Sequence, residues 1–124
     1  MRYWDQLAEY DREGFKIIVD KTWEDIHPRD CFDDSEHDIN QICMHIESGN
    51  YEWFMLRVRC LIDGHELAEE YLGGCLYERA SDVLTDGTAE DIIELALANA
   101  KTGAAELASK LFLVTLRNSH TLEV

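Results

Sequence analysis

The chain reads as an α+β fold: a three-stranded antiparallel sheet with helices packed on one face, in a single domain spanning residues 1–124. Three observations predict it. Tyr51 to Ile62 alternates with period two, so Phe54, Leu56, Val58, Cys60 and Ile62 share one side while Trp53, Met55, Arg57 and Arg59 share the other. Asp63-Gly64 follows at once, the dipeptide that most strongly signals a two-residue hairpin turn. Farther on, Ile93, Leu97, Ala100, Ala104, Leu107 and Leu111 recur at helical spacing.

The elements follow in order. Tyr3, Trp4, Leu7 and Tyr10 fall at helical intervals, which predicts a short amphipathic helix over 3–12, broken by Gly14. The β-branched run from Phe15 to Val19 predicts the first strand, over 15–23. A loop is expected around His27-Pro28, from Asp25 to Asp34. Ser35 is the expected cap of a helix that buries Ile39, Ile42, Cys43 and Ile46 and stops at Gly49-Asn50. The central strand is 51–62 and its return strand 66–77. Leu67 has odd parity and Leu72 even, so a bulge is expected between Ala68 and Tyr71. A helical turn over Ala80 to Leu84 precedes the long helix, which starts near Thr88 and is weakened in its middle by Gly103. Leu111 to Leu116 suits either the last helical turns or a strand.

Composition restricts function more than motifs do. The 124 residues include 3 Trp, 5 Tyr and 4 Phe, too many aromatics for a disordered acidic tail. Against 26 Asp and Glu stand 11 Lys and Arg, a net charge of −15. Direct nucleic-acid binding is not expected, because phosphates are held by cations. A basic partner is. The acids are grouped: ten acids and one base lie between Asp63 and Glu94, and eight acids and two bases between Asp20 and Asp38. Asp63, Glu66, Glu69, Glu70, Asp82, Asp86, Glu90 and Asp91 from the first group, with Asp33, Asp34 and Glu36 from the second, are the candidate partner-binding carboxylates. Trp53 is the candidate aromatic anchor, since Trp is favoured at interface centres. Arg57 and Arg59 read mainly as structural, paired across the hairpin with Glu69 and Glu70.

No catalytic constellation emerges, and the chain is not read as an enzyme. Ser35 and Ser81 lack a nucleophile-elbow setting. His27, Cys31, His37, Cys43 and His45 lie close together in sequence, but Pro28 interrupts any helix that would present the first pair, and the spacing is not that of a zinc site. The acids of 30–38 lack the calcium-loop pattern. Neither metal nor cofactor is expected. Four cysteines without a C-x-x-C pair, a start at Met1 to Tyr10 unlike a signal peptide, and no long apolar run predict a cytoplasmic protein with reduced thiols and no membrane association.

The stretches Tyr51-Glu-Trp-Phe-Met-Leu-Arg-Val-Arg59, Asp63-Gly64 and Glu70-Tyr-Leu-Gly-Gly-Cys-Leu-Tyr77, with Trp23-Glu-Asp-Ile-His-Pro-Arg-Asp-Cys-Phe-Asp33 upstream, resemble short proteins of phages and mobile elements. In general character the chain is similar to phage-encoded anti-CRISPR and antirestriction proteins. That resemblance implies an inhibitor in a bacterial host cell that binds a CRISPR effector subunit or a nuclease and blocks DNA entry or nuclease recruitment, some of them as DNA mimics. It carries over no residue roles. The alternative is a non-catalytic adaptor or regulatory protein working as a homodimer through an open sheet face or an edge strand.

Overall fold

A computed structural model describes residues 2–122, with side-chain surroundings through residue 118. It corrects the expected sheet: four antiparallel strands, not three, lie in the order β1-β2-β3-β4, with two α-helices against them. The strands are β1 (Asp5–Arg12), β2 (Phe15–Trp23), β3 (Glu52–Ile62) and β4 (His65–Tyr77). The helices are α1 (Ile39–Glu47), between β2 and β3, and α2 (Thr88–Leu122), after β4.

The extra strand is the segment expected to be an N-terminal helix. β1 pairs with β2 through a two-residue turn at Glu13 and Gly14, whose φ angles are 51° and 86°. Asp63 and Gly64 at the β3–β4 turn have φ of 48° and 80°. Both hairpins thus use a turn with two positive φ angles, the geometry that matches strand twist. The signal was plain in Asp-Gly and hidden in Glu-Gly. A register irregularity at Leu7, between Gln6 and Ala8, also breaks the alternation that would have marked β1 as a strand.

The β3–β4 pairing is regular from Ala68 to Tyr71, where the bulge was expected, and has two irregularities outside that stretch. Cys60 pairs with Ala68 and Leu61 with Glu66, leaving Leu67 as an extra residue. Phe54 pairs with Cys75 and Leu56 with Leu72, so Gly73 and Gly74 together face Met55. At the second irregularity Gly74 has φ 68° and donates its backbone N–H to Glu24 Oε1 at 3.2 Å.

One sheet face is the core. Ile17, Val19, Leu56, Val58 and Cys60 are fully buried, and Ile93, Ala96 and Ala100 of α2 close over them. Alanines in that stripe let the helix lie close against the strands. The helix that follows the 25–34 loop starts later than expected. Asp33 accepts the Ser35 backbone N–H at 2.9 Å, which holds 33–37 in turns, and Asp38 is the cap, accepting from Gln41 N at 3.1 Å. Expected short turns do form, at Pro28–Asp30 and Ala80–Leu84, both 3₁₀. The undecided stretch 111–116 is helical, continuing α2. Among the described residues no helix is long and apolar enough to cross a membrane.

The opposite face is polar and partly covered. Asp20, only 3% exposed, bridges Arg57 and Arg59. The Arg57 guanidinium lies 3.9 Å from the centre of the Trp4 ring, and Trp4 in turn meets Tyr71 at 6.0 Å between centroids. Arg57 and Arg59 are therefore structural, but their carboxylate comes from β2. Glu69 is the cross-strand neighbour of Arg59 and does not supply the ion pair.

Candidate functional site

Three acidic groups emerge from the eleven candidate carboxylates. Asp63, Glu66 and Glu69 lie at the β3–β4 turn and on the Arg57 face of the sheet; Glu70 points the other way, accepting from Asn99 of α2 at 2.5 Å. Asp82, Asp86, Glu90 and Asp91 surround the start of α2. Asp33, Asp34 and Glu36 occupy the exposed turns before α1.

Chain neighbours of two of these groups line a common cleft. A cleft of about 420 Å³ is lined by Phe32, His37 and Ile42 on one side and by Leu72, Tyr77 and Thr88 on the other. Phe32 and His37 meet edge to face with centroids 5.2 Å apart. Tyr77 donates its hydroxyl to Asp86 at 2.6 Å, and Asp86 also accepts the Thr88 backbone N–H at 2.9 Å. The cleft lining itself holds no carboxylate: Asp33, Asp34 and Glu36 lie in the chain between Phe32 and His37, and Asp86 bonds Tyr77 and Thr88. These hydrogen bonds hold the Asp86 carboxyl below its usual range, with the Tyr77 hydroxyl first in effect. Ser35 does the same for Asp33. Both carboxylates are charged well into mild acid.

Few of these charges are neutralised within the fold. Among the described residues Lys and Arg pair within 4.0 Å with Asp25, Glu90, Glu9, Glu52, Asp20 and Glu13. Only Glu90 belongs to the candidate set; Arg12 holds it with two bonds of 2.5 and 2.8 Å. The other ten candidate carboxylates have no such ion pair among the described residues. A larger hollow, about 760 Å³, separates α2 from the β1–β2 turn, but its Arg12 and Lys101 are engaged by Glu90 and Glu13.

Trp53 has a different placement from a free anchor. Its indole N–H donates to the Ile26 carbonyl at 2.9 Å, and its ring packs 5.7 Å from Phe32 between centroids. It supports the loop that leads into the 33–36 acids. Residues that the sequence reading passed over are Asp20 and Trp4. An acid inside the apolar run of β2 was the signal for Asp20; Trp4 gave none.

The Cys31 and Cys75 thiols are shifted by their surroundings. Burial first, then Glu24 and Asp30, push the Cys31 thiol up, and burial pushes Cys75 up to about 11, so both stay protonated and weakly nucleophilic at neutral pH. Among the described residues no three His, Cys, Asp or Glu side chains gather as a metal site.

Two glutamates should titrate on opposite sides of the ordinary value. The Arg12 hydrogen bonds hold Glu90 low. Burial, then a shared hydrogen bond with Glu69, pushes Glu66 up, against the nearby Arg59 and Arg57. The stabilisation from ionised Glu90 is therefore present above the ordinary glutamate pKa and lost as pH falls through its lower folded value. Ionising Glu66 costs stability as pH rises from the ordinary value to its higher folded one. Carboxyl carbon NMR should show a higher titration midpoint for Glu66 than for Glu90; a common midpoint would refute the arrangement.

Searches against known protein families, curated proteins and solved structures find no match for this chain.

Proposed function

We propose that the protein is a non-catalytic inhibitor of the kind phages and mobile elements direct at bacterial defence complexes, and that it docks exposed carboxylates onto a cationic surface that otherwise holds nucleic acid. The observation that carries this reading is the set of exposed carboxylates, Asp33, Asp34, Glu36, Asp82, Asp86 and Asp91, that no Lys or Arg pairs with among the described residues. Negative charge without internal partners leaves a field for steering a basic surface into contact. The partner class is a CRISPR effector subunit or a nuclease, and the bound carboxylates stand where phosphates would.

Binding of this kind weakens with salt, because exposed charges are screened beyond about 8 Å at physiological ionic strength. The test is competition with DNA for purified CRISPR effectors and restriction nucleases at low salt. Wild-type protein should displace DNA from at least one of them. Replacing Asp34, Glu36 and Asp82 by Lys, which breaks no side-chain hydrogen bond among the described residues, should weaken that binding at least about tenfold, equivalent to ~1.4 kcal/mol, without lowering the melting temperature by more than a few degrees. Retained affinity in the charge-reversed protein, or no displacement from any target, would exclude the reading. The alternative, a non-catalytic adaptor, draws its support from a separate feature of α2.

A further inference from the structure

The long helix outlasts the domain it packs on. Through Ala104 its apolar stripe is buried or half-buried against the sheet, and Gly103 lies beside the Leu67 bulge, where an added Cβ would make an ordinary contact of 3.5 Å with the Leu67 carbonyl oxygen. Beyond that point the same 3-4 spacing continues through Leu107, Leu111 and Val114, which no other described element covers. Phe112, Leu113 and Leu116 project from the far side. These six side chains are between 43% and 64% exposed. A helix that is apolar around most of its circumference is one that other protein covers, and a contiguous patch of this kind marks an interaction surface.

Charge says what covers it. Residues 104–124 hold two acids, Glu106 and Glu123, and two bases, Lys110 and Arg117, so the entire net charge of −15 belongs to the rest of the chain. The distal helix is the one long stretch on which another strongly acidic molecule can land without meeting like charge. It offers no excess charge to a basic target, and the acidic body opposes approach to an anionic lipid surface.

We propose that copies of this chain associate with one another through the distal part of α2, residues 107–118. The same charge sets the arrangement. Overlapping these twelve residues antiparallel spans about 18 Å at 1.5 Å per residue. It leaves the two acidic bodies at opposite ends, farther apart than the ~8 Å screening length. A parallel pairing would place them side by side. A helix pair this short buries less than the ~800 Å² per partner of a standard interface, so the association is expected at micromolar rather than nanomolar concentration.

This inference is independent of the acidic docking surface, and salt separates the two. Screening weakens attachment to a basic target but relieves repulsion between two acidic copies. Sedimentation equilibrium of the full chain at ~100 µM should give a mass of at least twice the 14.3 kDa monomer, with tighter association at about 500 mM salt than at about 50 mM. The double variant Leu111→Glu/Val114→Glu should be monomeric, with the thermal transition of the domain kept. If that variant does not fold, Leu107→Ser/Leu111→Ser, on the same stripe, is expected to behave in the same way. A monomeric wild type at ~100 µM, or a variant that folds and still associates, would overturn the proposal.

Discussion

Asp20→Ala should destabilise the fold by about 3 kcal/mol, lowering the melting temperature by roughly 10 °C. Asp20 Oδ2 accepts from Arg57 Nε at 3.1 Å and from Arg59 at 3.3 Å, and the Asp20 side chain is 4% exposed. Removing it leaves two guanidiniums without their carboxylate, and Arg59 already keeps a buried Nε with no acceptor among the described residues. Breaking a buried ion pair by deleting one partner typically costs 3–5 kcal/mol, roughly. The lower end applies because Arg57 and Arg59 side chains remain 14% and 26% exposed and water reaches them. Asp20→Asn keeps an acceptor and should lose about half as much. The double replacement Asp20→Leu/Arg57→Met should cost less than Asp20→Ala alone, since exchanging a buried pair for packed apolar groups is often neutral. Urea unfolding of the four proteins measures this. If Asp20→Ala stays within about 1 kcal/mol of wild type, the bridge does not hold the face together.

The second large effect separates two residues on the same helix. Ile93→Ala should cost about 3–4 kcal/mol, because Ile93 is 2% exposed between α2 and the sheet and its loss leaves a cavity. Leu111→Ala, at a residue 57% exposed, should change unfolding of the diluted monomer by less than about 0.5 kcal/mol. Both are large aliphatic side chains at helical spacing in α2. Their difference reads directly where the domain ends and the projecting helix begins. Equal costs would mean that the distal helix packs on the domain after all.

The site was legible in type but not in place. Grouped acids in 20–38 and 63–94 are visible in sequence, and many of them are exposed. That Phe32 and His37, beside the 33–36 acids in the chain, line one cleft with Tyr77 and Thr88, which bond Asp86, is not visible, because that cleft exists only after β4 is laid down beside β3. Which acids are neutralised is equally hidden. Arg12 reaches Glu90 and Lys101 reaches Glu13 across most of the chain, whereas the near neighbours Arg59 and Glu69 do not form the ion pair. Trp53 has the sequence character of an interface anchor, but its indole is turned to the Ile26 carbonyl.

Local chemistry sufficed for the β3–β4 hairpin, for the start of α2 near Thr88 and for the core side of β3, because alternation, an Asp-Gly turn and a helical stripe each follow from side-chain direction within a few residues. β1 needed its partner. Tyr3, Trp4, Leu7 and Tyr10 satisfy a helical period by coincidence; pairing with β2 and a Glu-Gly turn override it, and Trp4 is drawn onto Arg57 instead. The charge total is likewise a property of the sequence. Its display is a property of the fold, since whether a carboxylate meets a cation depends on distances of a few ångströms between residues that the chain itself keeps far apart.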